Sequence, residues 1–169
     1  MSNIRYNIGV KKLSKHKQKP KNEALVPFDS IREVGIVYDV NQKSSLLTKI
    51  VHHFESEGKK VFTLGYVNSK ELGDYVPNLK EGFYCKKDLG FFGIPKKESI
   101  SSFINKDFDY LINLDTKGRI ELQAVSTFSL ARTRIGKHLD LFQNAHDFMV
   151  KGIAETEEEI FNEIIKYIK

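Results

Sequence analysis

A single cysteine, Cys85, stands in a chain of 169 residues, so an intramolecular disulfide is excluded. One thiol without nearby histidines builds no structural zinc site, and Cys85 is expected to be a small packed hydrophobe. No stretch approaches the roughly 18–20 apolar residues that cross a bilayer. The lysines before Ala24-Leu25-Val26-Pro27 are followed by too short an apolar segment for a secretory leader, and the protein is expected to be cytoplasmic. Neither G-x-x-x-x-G-K-[ST] nor G-x-G-x-x-G occurs, and there is no H-x-x-x-H, C-x-x-C or Gly-x-Ser-x-Gly pattern. Phosphate-cradling loops, metal centres and serine nucleophile turns therefore have no sequence support; no cofactor and no metal are expected.

Acidic residues are scarce in one place. Within the first thirty residues, Arg5, Lys11, Lys12, Lys15, Lys17, Lys19 and Lys21 face only Glu23 and Asp29. From Ile31 to Lys169, twenty Lys and Arg balance twenty Asp and Glu, so the whole formal charge of +5 resides in the amino-terminal segment. This divides the chain into a basic arm, residues 1–30, and a neutral body, residues 31–169. Such an arm is an electrostatic footprint for a polyanion, meaning RNA, DNA or an anionic membrane surface. Ile4, Tyr6, Ile8 and Val10 alternate in a way that permits a short strand or an anchor against the body, and Lys11 to Asn22 is expected to be mobile.

The body has the pattern of an α/β fold. Val34 to Tyr38 is a continuous apolar run ending in Asp39, as for a strand buried on both faces. Leu46, Leu47, Ile50, Val51 and Phe54 recur at helical spacing, Gly58 stops that helix, and Val61 to Val67 forms the next strand, completing a βαβ unit. Phe83-Tyr84-Cys85 is a plausible strand in an otherwise loop-rich stretch, and Ser99 to Asn105 can form a short helix. Asp109 to Asp115 then forms a strand, Ile120 to Leu130 a helix, and Arg132 to Gly136 and His146 to Val150 two short strands. The carboxy-terminal helix opens with a capping box, Thr156 and Glu159, and lines one face with Ile160, Phe161, Ile164, Ile165 and Ile168. The expected architecture is a Rossmann-like three-layer fold around a mostly parallel sheet, preceded by the basic arm.

In such a sheet ligands meet the crevice beyond the carboxyl ends of the strands, which directs attention to Asp39 and Asp115. A pair of carboxylates there can bind Mg²⁺ or divide acid and base roles. The plainer function of both is to end strands, with Asp115 or Thr116 capping the following helix. Arg132, Arg134 and Lys137 crowd one short strand and can extend the arm's positive surface toward phosphates, although an edge strand with solvated charges has the same pattern. Phe91 and Phe92, between Gly90 and Gly93, offer a stacking surface for bases or a plug for the core edge.

Lys86 to Pro95, reading K-K-D-L-x-x-F-G-x-P, together with the strand Asp109 to Leu114 and the segment Ala131 to Gly136, resembles a family of small uncharacterised Bacteroidota proteins with basic amino-terminal arms. That resemblance covers nearly the whole chain and implies a Rossmann-like fold without an assigned activity. The same segments are distantly similar to the acceptor-side half of heptosyltransferase-like GT-B glycosyltransferases, which show a comparable strand, a helix and then an R-I-G strand, here Arg134-Ile135-Gly136. Those enzymes take their acid or base from a Gly-Asp loop after the first strand; Asp39-Val40-Asn41 stands here instead. The resemblance implies a scaffold kept for binding.

Three functions follow as expectations. The first is a non-enzymatic RNA-binding or ribosome-associated protein using the arm. The second is an adaptor that binds a protein partner or an anionic membrane surface. The third is a small glycosyltransferase-like or nucleotide-handling enzyme built on Asp39 and Asp115.

Overall fold

The computed structural model describes residues 2–18, 25–42 and 44–169. Their centre is a six-stranded, all-parallel sheet of β1 (Glu33–Asp39), β2 (Lys60–Val67), β3 (Glu81–Cys85), β4 (Tyr110–Asn113), β5 (Thr133–Lys137) and β6 (Phe148–Val150), in the order β3-β2-β1-β4-β5-β6. The α/β class and the strand sequence are as the apolar runs imply. Each run is covered on both faces, which is why Val34 to Val37 and Tyr110 to Asn113 are buried without alternation.

Helices α2 (Ser44–Ser56) and α5 (Glu157–Ile168) cover one face, where Ile50, Phe54, Ile160 and Ile164 meet Val34, Ile36 and Ile112. On the other face α3 (Lys97–Ile104) and α4 (Ile120–Phe128) set Ile100, Phe103, Leu122 and Val125 against Val37, Leu64 and Leu111. The capping box of α5 is formed: Glu159 N–H donates to Thr156 Oγ1 at 3.2 Å and Thr156 N–H donates to Glu159 Oε2 at 3.1 Å. Val26 and Phe28 join the same core as Ile31, so the chain is already packed before the position expected to open the body.

The amino-terminal segment corrects one expectation. Residues Ser2–Ser14 form a helix, α1, in place of the strand, and of the two alternatives it is the anchor against the body that the described residues show. Tyr6, Gly9, Val10 and Leu13 fall at i, i+3, i+4 and i+7, a helical stripe that turns toward α4 and the connection between β5 and β6. Leu13 is 1% exposed and packs with Ile120, Ala124, Phe142 and Ala145. Three hydrogen bonds fix the register: Tyr6 Oη donates to Gly118 O at 2.8 Å, Asn144 Nδ2 to Leu13 O at 2.9 Å, and Gln18 Nε2 to Thr127 O at 2.8 Å. The Asn144 bond adds a second donor to a last-turn carbonyl that also accepts His16 N–H at 3.0 Å. Lys19 and Lys21 lie outside the described residues.

Close approach at α1 depends on Gly9. A Cβ there would stand 2.3 Å from Ile120 Cδ1 and 2.8 Å from the backbone oxygen of Phe92, so only glycine admits α1 to this distance.

Candidate nucleic-acid interface

Docking turns the apolar side of α1 inward and leaves its cations outside. Arg5, Lys11, Lys12, Lys15 and Lys17 are all exposed. Between residues 2 and 18 the sequence has no Asp or Glu, and none of the five cations lies within ion-pair distance of a described carboxylate. Ile4 and Ile8 share the outward face.

The turn after β3 stands beside this helix. Phe91 is 67% exposed, and the Arg5 guanidinium carbon lies 4.1 Å from its ring centroid. Lys12 Nζ is 5.1 Å from the centroid of Phe92, whose ring meets Phe91 edge-on at 5.2 Å. The turn is closed by Gly90 N–H donating to Ile94 O at 2.8 Å and by Gly93, whose φ of +80° lies in the left-handed region. Just beyond the end of α1, the His16 ring meets Phe128 at 5.0 Å and Lys97 Nζ sits 4.5 Å from the Phe128 centroid. The His16 imidazole is held below its ordinary pKa by burial, then by Lys97 and Arg134, which favours the neutral ring.

The three cations expected on β5 do not form one surface. Arg134 is 2% exposed and its guanidinium is occupied. Nε donates to Asp147 Oδ2 at 3.0 Å and Nη2 to Asp147 Oδ1 at 2.8 Å, while Nη1 donates to the carbonyls of Ser126 and Asn144 at 3.2 and 3.1 Å. With four of its five N–H donors engaged and almost no exposed surface, Arg134 leaves the set of exposed candidates. β5 lies between β4 and β6 and is not an edge strand, which is why Arg134 is enclosed. Arg132, at the start of the strand, remains exposed and pairs with Asp109 at 3.0 Å. Burial alone would raise the Asp109 pKa; the backbone N–H groups of Arg32 and Glu33 and the Arg132 guanidinium outweigh it and hold the carboxyl below its usual range. Lys137 is at the opposite end of the strand, half-buried, with Nζ donating to Thr116 O at 3.3 Å.

Asp39 and Asp115 do come together. The crossovers leave β1 and β4 in opposite directions, and beyond their carboxyl ends Asp39, Asn41, Gln42, Asp115, Lys117 and Arg119 line a polar cavity of about 270 Å³. Both carboxylates are engaged. Asp39 forms an ion pair with Arg119 and accepts Asn41 N–H at 2.8 Å. Asp115 Oδ1 accepts Lys117 N–H at 3.0 Å, and its Oδ2 accepts Arg119 N–H and Gln123 Nε2, each at 2.7 Å. Burial pushes the Asp115 pKa up, and these donors offset part of that shift. Asn113, buried in β4 and unremarked as a site residue in the sequence, fixes the loop: its Oδ1 accepts Asp115 N–H at 3.0 Å and its Nδ2 donates to Leu122 O and Ser126 Oγ. The Asp115 carboxylate thus orders the turn into α4, with Arg119 itself at the helix cap.

Cys85 is fully buried, with Sγ 3.3 Å from Lys70 O. Among the described residues no group of three or more His, Cys, Asp or Glu is placed to hold a metal ion, and no helix is long and apolar enough to cross a membrane.

The chain matches, over residues 5–169, the model of a family described as Family of unknown function (DUF6913), and it belongs to that family. No curated protein and no solved structure matches it.

Proposed function

We propose that this protein is a non-enzymatic RNA-binding or ribosome-associated protein whose contact surface is the outward face of α1. The observation that supports this reading is a docked amino-terminal segment with five exposed cations, Arg5, Lys11 and Lys12 on α1 and Lys15 and Lys17 just beyond its end, no acid and no ion pair to a described carboxylate. Exposed lysines elsewhere on the molecule are interspersed with acids, as at Lys49 with Glu158 and Lys80 with Glu55. Cations carried on a docked segment meet phosphates with less loss of backbone freedom than those of a disordered tail.

The catalytic reading has less support. Asp39 is paired with Arg119 and Asp115 is saturated by turn donors, so each carboxylate has a structural occupation. Peripheral membrane binding draws on the same cations. However, the larger apolar side of α1 is spent on α4, and only Ile4 and Ile8 remain outward, a small apolar face for stable insertion.

The test is RNA affinity by fluorescence anisotropy across salt concentration, for the wild type and a variant with Arg5, Lys11, Lys12, Lys15 and Lys17 all changed to Gln. Five phosphate contacts on a single strand give a log–log slope of roughly −3.5 and about a hundredfold loss between 50 and 200 mM salt. The variant is expected to lose both affinity and slope while its fold, followed by circular dichroism, is retained. Binding that is flat in salt, or retention by anionic vesicles without RNA binding, would overturn the proposal.

A further inference from the structure

We propose that the seam between α1 and the 91–97 segment is a track for single-stranded nucleic acid, with an unpaired base stacking on Phe91. This rests on the polyanion reading of α1 and adds a base-recognition element to it.

Three cation–aromatic pairs follow one side of α1: Arg5 on Phe91, Lys12 on Phe92 and Lys97 on Phe128, the last joined by the His16 ring. From Arg5 to its end at Ser14 the helix rises about 14 Å, the reach of ~2–4 nucleotides of a strand between stacked and extended forms. Interleaving of positive charge with aromatic faces is what a sequence-tolerant single-strand site requires: cations for the backbone, π-faces for the bases. Exposure is graded along the seam. Phe91 is open to solvent, whereas Phe92 and Phe128 are half-buried, so Phe91 is the ring with a free face for a base. Arg5 lies on one side of that ring and Phe92 meets it edge-on, and at 67% exposure the rest of the ring surface is open to a base while the guanidinium can meet a phosphate.

A phenylalanine needed only to plug the core edge would be covered by the core. Phe92 meets that description in part, through Gly9 and the packed α1; Phe91 does not. The turn holding Phe91 is also fixed, by the Gly90–Ile94 hydrogen bond and by Gly93, so the ring is presented without ordering a loop on binding. A duplex keeps its bases stacked internally and offers this surface only phosphates and sugar hydroxyls, and so the seam discriminates strandedness without reading sequence.

The chain has no tryptophan, so Phe91→Trp introduces a single reporter at the site. Full-length protein would be titrated with a labelled oligouridine and with an RNA duplex of the same phosphate number, at one salt concentration. Phe91→Ala is expected to weaken oligouridine binding by roughly 5- to 150-fold and to leave duplex binding and the salt slope in place. Phe91→Leu, which keeps apolar bulk without a π-face, is expected to share the loss, and Phe91→Trp to retain binding with its fluorescence quenched by oligouridine and not by duplex. Equal affinity of the wild type for both probes, with Phe91→Ala unaffected, would overturn the track and leave the polyanion reading standing. Absence of binding to either RNA would overturn both, as would a blue shift of Phe91→Trp on anionic vesicles with no response to oligouridine.

Discussion

Substituting Gly9 by alanine sets two known effects against each other. Gly9 lies mid-helix, where alanine is favoured over glycine by about 0.8–1.0 kcal/mol. On an isolated or loosely attached helix the substitution would therefore stabilise. In the docked helix the new Cβ would meet Ile120 Cδ1 at 2.3 Å and Phe92 O at 2.8 Å. The isoleucine methyl can rotate away only into a packed cluster, since Ile120 is 5% exposed. The carbonyl cannot rotate at all, because the turn that holds it is closed by its own hydrogen bonds. Helix α1 must move outward by several tenths of an ångström, loosening Leu13 against Ala124 and Ala145. Overpacking of this kind costs about 1–3 kcal/mol, which leaves a net destabilisation of about 0–2 kcal/mol once the helix-propensity gain is set against it. Urea unfolding reads the sum. Hydrogen exchange reads the location, and the amides of α1 are expected to exchange faster, by up to roughly 30-fold, with those of β1 and β4 changed less. A Gly9→Ala protein with a raised urea midpoint would refute the reasoning, since it would mean that α1 does not press on the body at this point.

Two further perturbations test the interior. Asp147→Ala leaves the Arg134 guanidinium, with 3% of its side chain exposed, facing only carbonyls, and is expected to cost about 3 kcal/mol, the low end for a broken buried pair because Asp147 itself is 28% exposed. The double change Arg134→Met with Asp147→Ala is expected to recover part of that loss; a single-variant cost below about 1 kcal/mol in urea unfolding would contradict the assignment. His146 is fully buried over Gly136, and burial, followed by the nearby Arg134 charge, lowers its pKa to about 3 from an ordinary 6.5. A base held neutral in the fold binds its proton only when unfolded, so stability is fully present above about pH 6.5 and falls toward pH 3 by about 1.4 kcal/mol per pH unit. Comparing urea unfolding of wild type and His146→Leu between pH 6 and 4 isolates this slope, and parallel curves for the two proteins would show that His146 is not the group responsible.

Where a segment's fate depends on its own pattern, the sequence was readable. The continuous apolar runs at Val34 to Val37 and Tyr110 to Ile112 can be satisfied only by burial on two faces, and the Thr156–Glu159 box supplies both halves of its own cap. Where the fate depends on a distant partner, it was not. Ile4, Tyr6, Ile8 and Val10 fit a period of two, and Tyr6, Val10 and Leu13 fit a helix; the choice is made by Ile120, Phe92 and Asn144, more than eighty residues away. Arg132, Arg134 and Lys137 look equivalent in a strand until β6 closes on one side and Asp147 supplies a carboxylate. Asp39 and Asp115 were legible as strand ends sharing a crevice, because topology alone brings them there. The Arg119 pairing that occupies Asp39 was not, since nothing local to either residue announces the other.

The position of α1 bears on its charge. Between β5 and β6 the chain makes only a short 3-10 turn, Asp140–Phe142, where the connections between β1 and β2, β3 and β4, and β4 and β5 each carry a helix. Phe142 and Ala145 in that connection would lack cover on this side, and Leu13 of α1 supplies it. Docking therefore has a structural cause independent of any ligand. Covering that gap constrains Tyr6, Gly9, Val10 and Leu13; it places no demand on the opposite side of the helix. A cover alone would tolerate the mixture of acids and bases found over the rest of the surface, which also avoids self-repulsion among neighbouring cations. The outward side instead concentrates positive charge, beside an exposed phenylalanine held in a rigid turn. The inward residues explain why the helix is there, and the outward ones need a second cause, for which a polyanion with unpaired bases has the matching chemistry.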